Sequence, residues 1–128
     1  MTETEADRGT TTGAVVEGYF AMWNETDPER RREVITATWA PEARYLDPMF
    51  GADSHDGLDR MVAAVHQQFP GHTFRLRGAV DEHHDRVRWA WELAGPDAVV
   101  ASGVDFAVLA ADGRLRDVTG FIEAPTAG

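Results

Sequence analysis

The sequence predicts a single α+β domain in which helices cover one face of an antiparallel sheet. Three observations carry this. Apolar residues recur at helical spacing from Val15 to Phe69. After Gly71 the period changes from 3.6 to 2. Turn signals at Asp81–Asp85, Gly95-Pro96-Asp97 and Asp112-Gly113 then separate alternating stretches, as in a meander of strands. The 128 residues suit one domain.

Taken in order, residues 1–12 are polar and acidic and read as a disordered tail, and residues 124–128 read the same way. The domain is expected over 13–123. Val15, Val16, Tyr19, Phe20 and Trp23 form one apolar stripe on a first helix. Asp27 followed by Pro28 is an N-cap and first-turn pair opening a second helix. Val34, Ile35, Thr38 and Trp39 face inward there, Arg30-Arg31-Arg32 face solvent, and Pro41 is expected to end it. Ala43 to Asp47 is a short strand stopped by Pro48, and 49–55 is a loop over the cavity mouth. Asp56 is expected to cap a third helix carrying Leu58, Met61, Val62, Val65 and Phe69, which Pro70-Gly71 terminates. Four strands follow: one through Phe74 and Leu76, one through Val87, Trp89, Trp91 and Leu93, a long one from Val99 to Leu109, and one from Arg114 to Glu123.

Composition narrows the chemistry. Twelve arginines, no lysine and 22 acidic residues give a net charge of −10, a field that repels nucleic acid and anionic membrane surfaces. The missing lysine excludes Schiff-base and P-loop lysine chemistry. The missing cysteine excludes disulfides and thiolate nucleophiles. No apolar run approaches the roughly 20 residues of a membrane span, and the N-terminus carries no signal-peptide pattern, so the cytoplasm is the expected compartment. His83-His84 among acidic residues is a polar turn, because adjacent residues on an extended chain point to opposite faces and cannot easily share a metal ion.

Four polar side chains stand where apolar ones are expected: Tyr19, Asp47, Asp105 and, between Val87 and Trp89, Arg88. Tyr19 lies on the first helix's buried stripe. Asp47 is held extended by Pro48. Asp105 shares strand parity with Val99, Ala101, Gly103, Ala107 and Leu109, a face that would desolvate its carboxyl and raise its pKa. A helix, a short strand and a central strand can converge on one cavity. A carboxylate base with a phenol and a second carboxyl as donors suits proton transfer next to a carbonyl, with no metal or cofactor required. Trp23, Trp39, Phe50, Met61, Phe74, Arg88, Trp89, Trp91 and Phe121 are the expected substrate-binding residues.

The stretches 17–24, 39–48, 69–71, 87–91, 103–106, 112–115 and 120–121 resemble the SnoaL-like polyketide cyclase and ketosteroid isomerase group of the NTF2-like superfamily. The resemblance implies a cone: a curved antiparallel sheet wrapped around three helices, with an internal pocket and a homodimer formed through the sheet. It matches Tyr19 and Asp105 to an oxyanion-hole pair and Asp47 to the catalytic base. It equally allows Asp105 to act alone as acid and base, as in the cyclases. The expected activity is isomerisation or cyclisation of a small hydrophobic carbonyl compound. The alternatives are a binding or interaction module without chemistry, and an epoxide hydrolase in which Arg88 bridges carboxylates in the cavity.

Overall fold

A computed structural model describes residues 11–123. The tails expected at either end therefore lie outside the described residues, apart from Thr11 and Thr12. Thr11 accepts from the Ala14 N–H as the N-cap of helix α1 (Thr12–Asn24), whose first residue is already buried. Helix α2 (Pro28–Thr38) opens on the expected Asp27 cap.

Strand β1 (Trp39–Leu46) follows with no intervening loop, so Pro41 lies inside a strand and does not end the helix. Its ring supplies no N–H, and the pairing of β1 with its neighbour shifts register between Trp39 and Arg44. The stretch expected as a mouth loop contains β2 (Gly51–Ala52), paired back onto β1. Helix α3 (His55–Gln68) is capped by Ser54 rather than Asp56, because Ser54 Oγ reaches the Gly57 N–H while Asp56 sits in the first turn. His55 Nε2 bonds the Ala40 carbonyl, which ties the end of this stretch to β1.

Strands β3 (Thr73–His83), β4 (Arg86–Ala94), β5 (Val99–Leu109) and β6 (Leu115–Ile122) form the expected antiparallel meander. Two connections differ. The first turn is only His84-Asp85, with His84 at φ 54°, since Asp81, Glu82 and His83 pair with Arg88, Val87 and Arg86. The last connection spans 110–114, closed by the Ala110 N–H donating to the Arg114 carbonyl and the Gly113 N–H to the Ala110 carbonyl, with Gly113 at φ 91°. The sheet order is β2-β1-β6-β5-β4-β3, and β1 joins β6 in parallel, which makes a mixed six-stranded sheet.

The core lies between the helices and the concave sheet face. Met22, Ile35, Trp39, Leu58, Val62, Trp89, Leu115 and Val118 are essentially inaccessible there. Arg31 departs from its solvated neighbours: it is 4% exposed, with Nε 2.7 Å from Asp59 Oδ1 and Nη1 2.7 Å from the Glu25 carbonyl. It ties α2 to α3 beneath the surface. Among the described residues no helix is long and apolar enough to cross a membrane.

Candidate functional site

A cavity of about 100 Å³ opens between α1, α3 and the sheet. Its wall is mostly aromatic. Trp23 stacks near Phe74 at 5.0 Å between ring centres, and Phe74 near Trp91 at 5.8 Å. Tyr19, Phe20, Tyr45, Phe50 and Phe69 complete the ring system, while Met49 and Ile122 stand exposed at the rim. Four lining residues can exchange hydrogen bonds through their side chains apart from the indoles: Tyr19, Tyr45, Asp47 and Asp105.

Asp105 sits inward at mid-β5, opposite Trp89 and Gly120, and is 2% exposed. Tyr19 donates to its Oδ2 at 2.7 Å across 86 residues of chain. Burial pushes the carboxyl up to about 7, the Tyr19 bond pulls it back, and the Asp47 charge raises it further. The indole N–H groups of Trp89 and Trp91 also pull it down, from positions short of hydrogen-bond geometry. Burial and the Asp105 charge keep the Tyr19 phenol well above its ordinary range, so it stays a neutral donor.

Asp47 closes the β1–β2 turn. Its Oδ1 accepts from the Met49 and Phe50 N–H groups, each at 2.7 Å, and its Oδ2 accepts from the Tyr45 hydroxyl at 2.6 Å. This carboxylate builds the rim and also borders the cavity. The two acid–phenol pairs meet at Gly120. A methyl there would stand 2.8 Å from Asp105 Oδ1, 3.1 Å from the Tyr45 hydroxyl and 3.3 Å from Asp47 Cβ. Only a residue without a side chain leaves both pairs in place.

A family model described as a SnoaL-like domain matches residues 16–118. The chain belongs to the SnoaL-like family. A SnoaL-like family protein from Agrobacterium tumefaciens, provisionally named an isomerase, is 39% identical over 86% of this chain and 95% of its own, with a TM-score of 0.82. Two more distant structures share the fold. A provisionally named SnoaL-like polyketide cyclase from Jannaschia has 18% identity and a TM-score of 0.66, covering 85% of each chain. A protein with a ketosteroid isomerase-like fold from Catenulispora acidiphila has 13% identity and a TM-score of 0.70, covering 86% of this chain and 85% of its own. No curated protein matches the chain.

Within this SnoaL-like cone Tyr19, Asp47 and Asp105 do border one cavity, as do Trp23, Phe50, Phe74 and Trp91. The other expected lining residues do not. Trp39, Met61 and Trp89 are at most 4% exposed and lie in the core behind the wall, with Trp39 and Trp89 packed against Tyr19 at 6.0 and 4.8 Å. Arg88 points to the outer sheet face and pairs with Asp81, so it bridges no carboxylates in the cavity and the epoxide-hydrolase arrangement is absent among the described residues. Phe121 is 60% exposed, because it pairs with Val104 on the face opposite Asp105. Tyr45 was missed, although it stands two residues before Asp47 and so shares its face of the chain.

Three buried indole N–H groups, those of Trp39, Trp89 and Trp91, have no hydrogen-bond partner among the described residues. Each costs roughly 1–3 kcal/mol if left so. Trp39 and Trp89 are sealed in the core, whereas Trp91 lines the cavity.

Proposed function

We propose that the pocket performs cofactor-free proton transfer on a small hydrophobic carbonyl compound, as an isomerase or cyclase. The carrying observation is Asp105: a buried carboxyl at an apolar cavity wall, held near pKa 7. Such a group is balanced between giving and taking a proton at neutral pH. Its carboxylate removes a proton from the carbon beside the carbonyl and leaves an enolate. Returning that proton to another carbon is isomerisation; attack of the enolate carbon on a second carbonyl is ring closure.

Asp105 takes the base role in this reading, in place of Asp47. The Asp47 carboxylate is already engaged by two backbone N–H groups and a phenol. Tyr19 is a positioning residue, since its hydroxyl is committed to Asp105 Oδ2. The cavity volume favours an occupant of about one ring, given that an engineered 150 Å³ apolar cavity holds benzene.

The test is conversion of 3-cyclohexenone to 2-cyclohexenone by ultraviolet absorbance, together with deuterium wash-in beside the carbonyl of cyclohexanone. The wild type is expected to accelerate both, with a rate that rises through about pH 7 as Asp105 ionises. Asp105→Asn is expected to lose at least about 100-fold, and Asp47→Asn far less. If the wild type catalyses neither, or Asp105→Asn keeps its rate, the reading fails. The pocket is then a binding module.

A further inference from the structure

Phe74 forms the part of the cavity wall between Trp23 and Trp91, and it lies on an edge strand. β3 ends one side of the sheet, so alternate backbone groups along it face away from any strand. Phe74 pairs with Leu93 on β4 and turns its N–H and C=O outward, to one side chain. Asn24 Oδ1 accepts from the Phe74 N–H at 2.8 Å, and Asn24 Nδ2 donates to the Phe74 carbonyl at 2.8 Å. A single amide thus stands in for a missing strand. Asn24 is the last residue of α1, and that end is itself held: His66 Nε2 on α3 lies 2.7 Å from the Trp23 carbonyl oxygen. Helix propensity does not explain the residue, since asparagine is a poor helix former. A donor and an acceptor on one planar amide are what Asn and Gln offer and Asp does not.

We propose that Asn24 is a positioning residue that sets specificity: it locks the Phe74 wall in place and so limits the ligand to about one ring. This rests on the cavity being the ligand site of the proposed proton transfer. Asn24 itself is exposed and does not line the cavity, so it acts through Phe74. A second fused ring overfills a space of about 100 Å³ unless a wall moves. Phe74 is the wall suited to move, because no strand flanks β3 on its outer side and the Asn24 amide holds the backbone there.

The experiment measures dissociation constants of the full chain for cyclohexanone, with one ring, and 2-decalone, with two, by calorimetry. The wild type is expected to prefer cyclohexanone by at least about tenfold, although decalone is the more apolar. Phe74→Ala is expected to remove that preference by opening the wall directly. Asn24→Ala is expected to shrink the ratio about fivefold or more, through lost hydrogen bonds that let the wall shift. Asn24→Asp keeps an acceptor for the Phe74 N–H but cannot donate to its carbonyl, and is expected to fall between wild type and Asn24→Ala. General destabilisation would weaken both ketones by one factor and leave the ratio in place. The proposal is overturned if the wild type binds neither ketone or does not prefer the smaller. It is equally overturned if Phe74→Ala admits decalone while Asn24→Ala keeps the wild-type ratio. Should Asn24→Ala not fold, Asn24→Asp decides by the same ratio. Selectivity of this kind in a protein that does not turn over 3-cyclohexenone keeps this proposal and removes the proton-transfer reading. An unchanged ratio in an active protein does the reverse.

Discussion

Replacing Asp105 by Asn is expected to stabilise the protein at alkaline pH. The carboxyl is 2% exposed, and burial raises it from 3.8 to about 7. Because the folded state holds its proton more tightly than the unfolded chain, this group's contribution to stability is intact below pH 4. It is then lost progressively as pH rises towards 7, and no further loss follows. At about 1.4 kcal/mol for each pH unit, the loss reaches roughly 4 kcal/mol above pH 7. Asn cannot ionise, and its amide oxygen still accepts from Tyr19. Other titrating groups are common to both proteins and cancel in their difference. Urea unfolding of wild type and Asp105→Asn at pH 5 and pH 8 therefore measures this one group. The variant's advantage is expected to grow by roughly 3 kcal/mol between those conditions. Parallel stability across that range would refute the view of Asp105 as a desolvated acid, and the proton-transfer reading with it.

Other outcomes follow from neighbouring contacts. Tyr19→Phe removes the bond that lowers Asp105, so the Asp105 midpoint is expected to move above 7 in carboxyl ¹³C titrations. Gly120→Ala places a methyl between the two acid–phenol pairs. It is expected to cut turnover of 3-cyclohexenone about tenfold or more, as small misplacements do at reacting sites, with the far-ultraviolet spectrum unchanged. Arg31→Ala removes the buried guanidinium from the Glu25 carbonyl and leaves Asp59 only Arg32, at 3.9 Å, and urea unfolding is expected to show a loss of about 2 kcal/mol.

Much of the fold was legible because burial writes periods into sequence. β4 and β5 show one inward and one outward face, and the inward residues of β4, Val87, Trp89, Trp91 and Leu93, are all buried. What was not legible is depth and register. Trp89 and Trp91 share a face, yet one is core and the other lines the cavity, a difference that α1 and Phe74 decide. Arg88 has the parity opposite to Trp89 and so belongs outside, where Asp81 meets it only because β3 extends to His83. Pro41 resembled a helix stop because proline on a strand needs a neighbour that tolerates the missing donor, and that neighbour is more than 70 residues away on β6. Arg31 differs from Arg30 and Arg32 in being buried where it meets Asp59, a contact between helices that a single helix's pattern does not contain. Asp105, by contrast, stood out because a carboxyl breaks an otherwise small and apolar face.

The parallel pairing of β1 with β6 has a consequence for how the molecule assembles. Tyr45 waits for Val118, as Tyr19 waits for Asp105, so the loops that must close are among the longest this chain allows. Helices and hairpins can form from local sequence, but the hollow exists only after the final strand has docked against the earliest one. During synthesis on a ribosome the aromatic surfaces of α1 and β1 are therefore displayed before their lid of sheet is made. That interval, rather than the finished globule, is when the chain is most open to self-association.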